Sequence, residues 1–293
     1  MGIWIEAARP KTLWAGISPV LLGVAVAYSD GIFHAVSAIL ALTGAVLIQV
    51  GTNFHNDLAD FKKGADTSDR LGPRRAVQSG MVTPAAMKLA TYLTFFAALL
   101  SGIYLMMRGG LPIVVIGFSS IAFGLLYTGG RYSLAYLGIA DVFVLIFFGP
   151  VAVAGTYFVQ GLSWPIEVWI AGLGPGLLSV GILLANNIRD VLEDGRAGKK
   201  TIVVRLGRDA GIRIYVACMV LAAAVPVVLW KGYDSPAWIL LSLLATPLFF
   251  KAVTLLRAIP QEDGARLNGV LAMTARNLLI YTILFSLGWV VAA

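Results

Sequence analysis

Charged residues and soft metal ligands are scarce in this sequence. Only 13% of its 293 residues are Asp, Glu, Lys or Arg, whereas soluble proteins have roughly 25%. The one cysteine, Cys218, excludes a disulfide bond within the chain. The two histidines, His34 and His55, lack the spacing of metal ligands, so the sequence does not favour a zinc site.

Hydrophobic residues make up 59% of the sequence and are arranged in long runs. Runs of about 18 or more apolar residues, which are long enough to cross a bilayer as helices, recur along the whole chain. The alternating segments of about ten residues that are typical of a strand-built membrane barrel do not occur. The sequence therefore predicts an all-α polytopic membrane protein, embedded in the lipid bilayer as a single domain over residues 1–293.

Nine transmembrane helices are predicted from these runs, and short loops alternate with long basic ones between them. The segment before the first span, 1–13, contains Glu6, Arg9 and Lys11 but no small-residue cleavage site. We therefore expect it to form a helix at the membrane interface rather than a removable signal. The predicted spans cover residues 13–29, 34–58, 86–107, 111–129, 134–158, 166–190, 210–230, 236–257 and 269–291.

The basic residues gather on one side of the predicted spans. If the N-terminus is cytoplasmic, only Arg108 and Lys231 of the 22 Lys and Arg residues fall on the outer side. This asymmetry predicts a multi-pass protein of the cell (inner) membrane whose N-terminus and basic loops are cytoplasmic. The net charge of +7 then belongs to one face, where anionic lipids and substrates account for it without nucleic acid.

A first cluster of polar residues lies at the end of span two, in the segment NFHNDLAD at 53–60. On a helix, Asn53, Asn56, Asp57 and Asp60 fall within an arc of about 100°. A single cluster of this kind is usually a helix cap on a solvated surface.

A second cluster lies at the end of span six, in NNIRDVLEDGRAGKKT at 186–201. Asn186, Asp190 and Asp194 have i, i+4, i+8 spacing and form one stripe on a helix, with Asn187 at its edge. Ionisable groups within membrane spans are functional by default. Two matched polar faces, each followed by a basic loop, therefore favour a binding site over two unrelated caps.

Carboxylates that are held close together repel one another and need a cation. Oxygen ligands without His or Cys suit Mg²⁺, which binds one or two carboxylates together with substrate phosphates. Basic residues beside both clusters complete a consistent set of charges for a phosphate ligand, although such residues also serve as topology signals. They are Lys62, Lys63, Arg70, Arg74, Arg75, Arg189, Lys199, Lys200 and Arg205.

The recurrence of a polar helix end followed by a basic loop indicates an internal duplication. Four spans separate the two occurrences, which predicts four-helix repeats over about 13–129 and 134–257 and a ninth helix at 269–291.

Three further segments extend the pattern: DRLGPRRAVQSGMVTP at 69–84, FVLIFFGPVAVAGTYF at 143–158 and NNIRDVLEDGRAGKKTIVVRLGR at 186–208. Together with the first cluster, they resemble the UbiA-type intramembrane prenyltransferases, which carry aspartate-rich motifs on spans two and six. The resemblance is strongest to the branch that prenylates 1,4-dihydroxy-2-naphthoate in menaquinone synthesis. Spans seven to nine add little beyond hydrophobicity.

The resemblance implies a helix bundle with a lipid-open central cavity and a Mg²⁺ cofactor. It implies transfer of the prenyl group of a polyprenyl diphosphate to 1,4-dihydroxy-2-naphthoate, with decarboxylation, to give demethylmenaquinone. In that reaction an electron-rich ring carbon attacks the allylic cation that remains when pyrophosphate leaves.

The resemblance also assigns residues to roles. The catalytic, metal-binding aspartates are then Asp57, Asp60, Asp190 and Asp194. Gly64 and Asn186 stand where many family members have an acid, and Asp66, the next acid, is a further candidate metal ligand. The residues that we expect to bind substrate are Asn53, Asn56, Lys62, Arg70, Arg74, Arg75, Arg131, Asn186, Asn187, Lys199, Lys200 and Tyr127.

Asp141 lies about two turns into predicted span five, at roughly the depth of the first polar cluster. Because a lone acid within a membrane is costly, we expect it to position or deprotonate the acceptor and count it among the catalytic candidates. Tyr127, Tyr157 and Phe158 are candidates to face an allylic cation, although aromatic residues in spans more often serve as packing or interface anchors.

Two alternatives remain at the level of the sequence. Paired repeats with polar helix ends also suit a secondary transporter, but transporter sites lie near the bilayer midplane, whereas these clusters lie at the cytoplasmic ends. Within the same family, the acceptor could instead be 4-hydroxybenzoate or homogentisate, against which only the segment at 69–84 argues.

Overall fold

The structure, a computed structural model, describes residues 2–64, 71–130 and 133–293, and these residues form helices joined by loops. Eight helical segments in these ranges are long and apolar enough to cross a membrane, and a ninth apolar helix, Leu111–Leu126, is shorter. The predicted fold class, a polytopic all-helical membrane protein, is confirmed. The predicted site residues Asp66, Arg70 and Arg131 lie outside the described ranges.

The helices differ from the predicted spans mainly at their ends. The first six are α1 (Gly2–Ala8), α2 (Pro10–Ser29), α3 (Ala35–Lys62), α4 (Pro84–Gly109), α5 (Leu111–Leu126) and α6 (Leu134–Leu137). They are followed by α7 (Ala140–Phe147), α8 (Pro150–Gly161), α9 (Ile166–Arg189), α10 (Val191–Arg196), α11 (Ile202–Leu206), α12 (Arg208–Gly232), α13 (Thr246–Ala258) and α14 (Leu267–Val291). Two 3₁₀ helices, Ala237–Ala245 and Gln261–Arg266, lead into α13 and α14.

Span five departs from the prediction of one helix over 134–158. The short α6 ends at Gly138, whose φ of 72° is a left-handed conformation that glycine adopts without steric cost. The span itself consists of α7 and α8, which are separated by Phe148 and Gly149. Asp141 therefore lies in the first turn of α7 rather than two turns into a helix.

Glycines of α9 let this break pack directly against the helix. A Cβ atom at Gly172 would lie 2.6 Å from Cα of Pro150, and one at Gly176 would lie 2.7 Å from the carbonyl oxygen of Leu145. Side chains do not approach backbone atoms this closely, so small residues are required at the contact. Span five thus packs against the segment GLGPG at 172–176 of α9.

The helix α9 lies at the centre of the bundle. In its most apolar stretch 72% of the residues are buried, compared with 17% in α3. Buried side chains of α2, α9, α12 and α14, among them Leu22, Leu178, Tyr215 and Leu278, belong to one core cluster. The second polar cluster therefore begins at the end of the best-packed helix, while α3 carries the first cluster along the side of the bundle.

Gly172→Ala is expected to lower the thermal unfolding temperature of the purified protein in detergent. The added methyl group would press on the backbone of Pro150, which cannot move without separating α8 from α9. Overpacking of this kind typically costs about 1–3 kcal/mol. Gly269→Ala is the matched control, because a Cβ atom at Gly269 meets nothing within 4 Å. Equal unfolding temperatures of Gly172→Ala and the wild type would contradict the close contact.

Candidate active site

A cavity of about 400 Å³ runs along the inside of the bundle. Along α3 its lining extends from Ala41 to Asp60, a distance of about 28 Å at about 1.5 Å per residue. Its wall is polar near Asp60 and apolar near Met106 and Ile113. The cavity is therefore suited to an elongated ligand that combines a charged head with an apolar chain.

Both polar clusters meet at the polar end of this cavity. Burial raises the pKa of Asp194, and the carboxylates of Asp190 and Asp60 add to this rise against the opposing effect of Lys199. Acids from the two clusters thus share one electrostatic environment. The predicted site residues that line the cavity are Asn53, Asn56, Asp60, Arg75, Tyr127, Asn186, Asn187, Asp190, Asp194 and Lys199.

Asp60 has one carboxylate oxygen that is bound by protein and one that is not. Its Oδ2 accepts a hydrogen bond from Nη2 of Arg75 at 2.6 Å, and both side chains are buried. Its Oδ1 is also buried but has no hydrogen-bond partner among the described residues. Because a buried carboxylate oxygen without a partner is costly, Oδ1 is a position at which a metal ion would be stabilising.

Asp57 faces the loop after α3 instead of the cavity. Its Oδ2 accepts a hydrogen bond from the N–H of Ala76 at 2.9 Å, and its Oδ1 accepts one from the N–H of Val77 at 3.2 Å. The side chain is buried and does not line the cavity. It holds the loop that brings Arg75 beside Asp60, which differs from the direct metal contact that the resemblance implies.

Arg189 fixes the orientation of the second cluster. The helix α9 ends at Arg189, so Asp190 lies at a break in the stripe that was predicted to be one continuous helix. Nε and Nη2 of Arg189 donate to the two carboxylate oxygens of Asp190 at 2.6 and 2.5 Å, and Nη2 also donates to Oδ1 of Asn186 at 2.7 Å. This bidentate pairing orients the carboxylate, which keeps further lone pairs for a ligand.

Lys199 carries a positive charge at the same end of the cavity. Its Nζ lies 3.0 Å from Oδ1 of Asp194. Burial works against this charge, but the carboxylates of Asp194 and Asp60 outweigh burial and raise the pKa of Lys199. The ring of Tyr136 lies 6.0 Å from this Nζ and 4.1 Å from Nζ of Lys63, so one aromatic side chain contacts cations from both basic loops.

The two asparagines of the first cluster join α3 to its neighbours. Nδ2 of Asn53 donates to the carbonyl of Ala8 at 2.8 Å and to Oγ1 of Thr12 at 3.1 Å. Oδ1 of Asn56 accepts a hydrogen bond from Oγ1 of Thr128 at 2.6 Å. These bonds fix the junction of α1 with α2 and the end of α5 against the polar end of the cavity.

Some predicted site residues lie away from the cavity. Lys62, Arg74 and Lys200 are exposed and do not line it, which is typical of basic residues that determine topology. Asp141 does not line it either, although its Oδ1 is buried and has no hydrogen-bond partner in the described part of the chain. The late start of α7 at Ala140 explains this placement, because the prediction assumed a helix from residue 134.

Of the three aromatic residues expected to face the cation, Tyr127 lines the cavity, but Tyr157 and Phe158 do not. Oη of Tyr157 donates to Oδ2 of Asp30 at 2.6 Å, and Phe158 stacks on Trp164 with ring centroids 4.1 Å apart. Asp30 directly follows α2, at the end of that helix remote from the acids. Neither Tyr157 nor Phe158 is therefore placed to face a cation at the acidic end.

Three phenylalanines whose rings pack together in the cavity wall were not among the predicted site residues. The ring of Phe123 lies 4.5 Å from that of Phe143 and 4.8 Å from that of Phe147, measured between centroids. All three line the cavity together with Tyr127. The pairs Phe123 with Tyr127 and Phe143 with Phe147 have i, i+4 spacing, a pattern that could have indicated two aromatic stripes facing each other.

The oxygen donors at the polar end fit Mg²⁺ that is held jointly with a phosphate ligand. No three His, Cys, Asp or Glu side chains within 2–64, 71–130 and 133–293 are grouped to hold a metal ion by themselves. Mg²⁺ usually keeps several waters and binds one or two carboxylates together with substrate phosphates. Asp60, with its buried Oδ1, and Asp194 offer such carboxylates at the cavity.

Sequence comparison gives the family. The profile of the UbiA prenyltransferase family matches residues 16–290. The chain is 34% identical over 293 residues to the 1,4-dihydroxy-2-naphthoate octaprenyltransferase of Escherichia coli (strain K12), and the alignment covers 97% of this chain and 94% of that protein.

Solved structures share the fold at low sequence identity. A UbiA homologue from Aeropyrum pernix K1 has a TM-score of 0.70 at 18% identity, with 94% of this chain and 97% of that one covered. A UbiA homologue from Archaeoglobus fulgidus, bound to GPP and Mg²⁺, has a TM-score of 0.63 at 13% identity, with 97% and 99% covered.

The family profile extends over both polar clusters and over the helices that surround the cavity. The resemblance that the sequence segments indicated is thereby confirmed. The chain belongs to the UbiA prenyltransferase family and is a multi-pass membrane prenyltransferase.

Proposed function

We propose that the protein transfers the prenyl group of a polyprenyl diphosphate to 1,4-dihydroxy-2-naphthoate in a Mg²⁺-dependent reaction with loss of the carboxylate. The product is demethylmenaquinone in its reduced form. One observation carries this proposal: Asp60 and Asp194, from opposite halves of the chain, line the polar end of a cavity whose remaining wall is apolar. The name of the Escherichia coli relative supports naphthoate as the acceptor.

The acids and amides at the polar end would hold the metal ion. Asp60 and Asp194 would bind it directly. Asp190 would also bind it, through lone pairs of its carboxylate oxygens that do not accept hydrogen bonds from Arg189. When bound, Mg²⁺ neutralises charge on the diphosphate and so favours its departure. Asp57 would act on the site indirectly, because it holds the loop that places Arg75 beside Asp60.

Arg75 and Lys199 would stabilise the negative charge of the leaving group. Both line the cavity, and both are held in place by an acid, Arg75 by Asp60 and Lys199 by Asp194. Cations that are positioned before the reaction need not reorganise as charge develops on the departing pyrophosphate. Breaking of the C–O bond then leaves an allylic cation in the cavity.

The apolar wall would hold the prenyl chain and exclude water from this cation. Phe123, Phe143 and Phe147 present aromatic rings next to the polar end, where a ring face can stabilise a positive charge. The exclusion of water prevents hydrolysis of the cation before the acceptor reacts. A ring carbon of the naphthoate then forms the new C–C bond with the cation, and loss of the carboxylate as CO₂ restores the aromatic ring.

The polar end of the cavity would face the cytoplasm. The segments that follow α3 and α9 at this end carry most of the basic residues near the site, and such residues are enriched on the cytoplasmic side. Both substrates could then enter from the inner leaflet and the cytoplasm.

The direct test is a transfer assay with purified protein, one long polyprenyl diphosphate, Mg²⁺ and a panel of 1,4-dihydroxy-2-naphthoate, 4-hydroxybenzoate and homogentisate. We expect prenylated product and CO₂ with the naphthoate, and no product when the divalent cation is chelated. Product with another acid alone would overturn the proposed acceptor. Transfer that continues at full rate without divalent cation would overturn the role of the metal.

Asp60→Asn is expected to lower turnover by about 100-fold or more, because it removes the charge at the buried Oδ1. The concentration of Mg²⁺ that gives half-maximal rate should rise as well. Asp263→Asn is the matched control, since Asp263 is exposed and forms an ion pair with Arg266 at the surface. If the two variants require the same Mg²⁺ concentration, Asp60 does not bind the metal.

Asp57→Asn is expected to loosen the loop after α3. The amide cannot accept both backbone hydrogen bonds that Asp57 now accepts from Ala76 and Val77, and loss of such a bond should speed cleavage by trypsin after Arg74 by about ten-fold. Digestion of the detergent-solubilised protein, followed by mass spectrometry, measures this. Cleavage as slow as in Asp263→Asn would show that Asp57 does not hold the loop.

A further inference from the structure

The segment that leads into the last helix is bound to the second acidic cluster. Nε2 of Gln261 donates to the carbonyl oxygens of Ile188 and Arg189 at 3.3 and 3.4 Å and so caps the end of α9. Further along, Oδ1 of Asn268 accepts a hydrogen bond from Nη1 of Arg189 at 2.7 Å. The sequence of span nine showed only that it is hydrophobic. These polar contacts with α9 are therefore seen only in the tertiary structure.

Asn268 also holds the loop that follows α3. Its Nδ2 donates to the carbonyl oxygen of Leu71 at 2.8 Å. The N–H of Leu71 donates to Oε1 of Glu193 at 3.1 Å, and Glu193 lies in α10 between Asp190 and Asp194. Both backbone groups of Leu71 are therefore bound by residues on the side of the second cluster.

The same loop is bound to the first cluster a few residues later. Arg75 donates to Asp60, and the N–H of Ala76 donates to Asp57. Gly264 leaves room for the crossing, because a Cβ atom there would lie 2.6 Å from Cδ1 of Leu71. The stretch from Leu71 to Ala76 is thus bound to both clusters, and it fixes the distance between them.

The contact between Asn268 and Arg189 involves a guanidinium group that is almost fully buried. Arg189 is 2% exposed, and its Nε and Nη2 are already bound to Asp190 and Asn186. Loss of the acceptor on Asn268 would leave a buried N–H of Nη1 unpaired, which is costly. The guanidinium group would shift to find another acceptor, and Asp190 would shift with it.

We propose that Asn268 is a positioning residue for the diphosphate end of the cavity, an inference that rests on the proposed function. Its carbonyl oxygen orients Arg189 and thereby Asp190 and Asn186, while its amino group holds Leu71. An amide suits both tasks because it carries an acceptor and a donor on one carbon. Residues that orient metal ligands typically change metal affinity or activity about 10–100-fold when they are replaced.

The test compares the wild type with Asn268→Ala, Asn268→Asp and Asn277→Ala, each purified as the full chain in detergent. Asn277 is the matched control, because it lies buried in the same helix and donates to the carbonyl of Leu248, away from the cavity. Two quantities are measured: thermal stabilisation by Mg²⁺ with inorganic pyrophosphate, and the KM for each substrate.

Asn268→Ala should require about ten-fold more Mg²⁺-pyrophosphate for half of the stabilisation, and its KM for the polyprenyl diphosphate should rise similarly. Its KM for the acceptor should stay unchanged. Asn268→Asp keeps an acceptor for Arg189 but has no donor for Leu71, so its values should fall between those of Asn268→Ala and the wild type. Asn277→Ala should unfold at a lower temperature yet bind Mg²⁺-pyrophosphate like the wild type.

Two outcomes would overturn the proposal: equal Mg²⁺-pyrophosphate binding by Asn268→Ala and the wild type, or the same loss in Asn277→Ala. A wild type that shows no stabilisation by this probe would overturn it together with the metal site. Stabilisation without prenyl transfer to any acceptor would refute the proposed function while leaving the binding role of Asn268 supported.

Discussion

The site depends on the neutralisation of buried carboxylates by cations of the same chain. Four acids, Asp60, Asp190, Glu193 and Asp194, line one end of a cavity inside an apolar bundle, and the three aspartates form ion pairs there. An unpaired charge in such a place would be strongly unfavourable. Removal of one partner of a buried ion pair typically costs about 3–5 kcal/mol, so the acids can remain there only with their basic neighbours. The pairs are Asp60 with Arg75, Asp190 with Arg189 and Asp194 with Lys199.

This pairing also shapes what the cavity can bind. Each cation holds its carboxylate in one orientation, and Oδ1 of Asp60 is left without a hydrogen-bond partner among the described residues. Under the proposed function, a metal-bound diphosphate would bring a cation to that oxygen and negative charge to Arg75 and Lys199. The apolar wall beyond these residues suits a hydrocarbon chain. The polar end of the cavity would therefore bind the charged head of a ligand, and the apolar end would bind its chain.

The sequence located the two clusters but could not separate the roles of their members. Asp57 and Asp60 fall on one arc of α3, and nothing in their spacing distinguishes an acid that faces the cavity from one that binds a loop. The path of the loop decides this, because it brings the N–H groups of Ala76 and Val77 to Asp57 and the guanidinium of Arg75 to Asp60. The depth of Asp141 in its helix was predicted wrongly for a related reason, since the start of α7 depends on the turn at Gly138.

Hydrophobic runs and the recurrence of polar helix ends determined the number of spans, their approximate limits and the two acidic clusters. These features are local, because a span must satisfy its own backbone hydrogen bonds within the membrane. Only the tertiary structure brought Arg189 into contact with Asn268, bound Leu71 to Glu193 and Asn268, and set Phe123 opposite α7. Such contacts join residues far apart in the chain, and their partners are chosen by packing, which leaves no periodic pattern in the sequence.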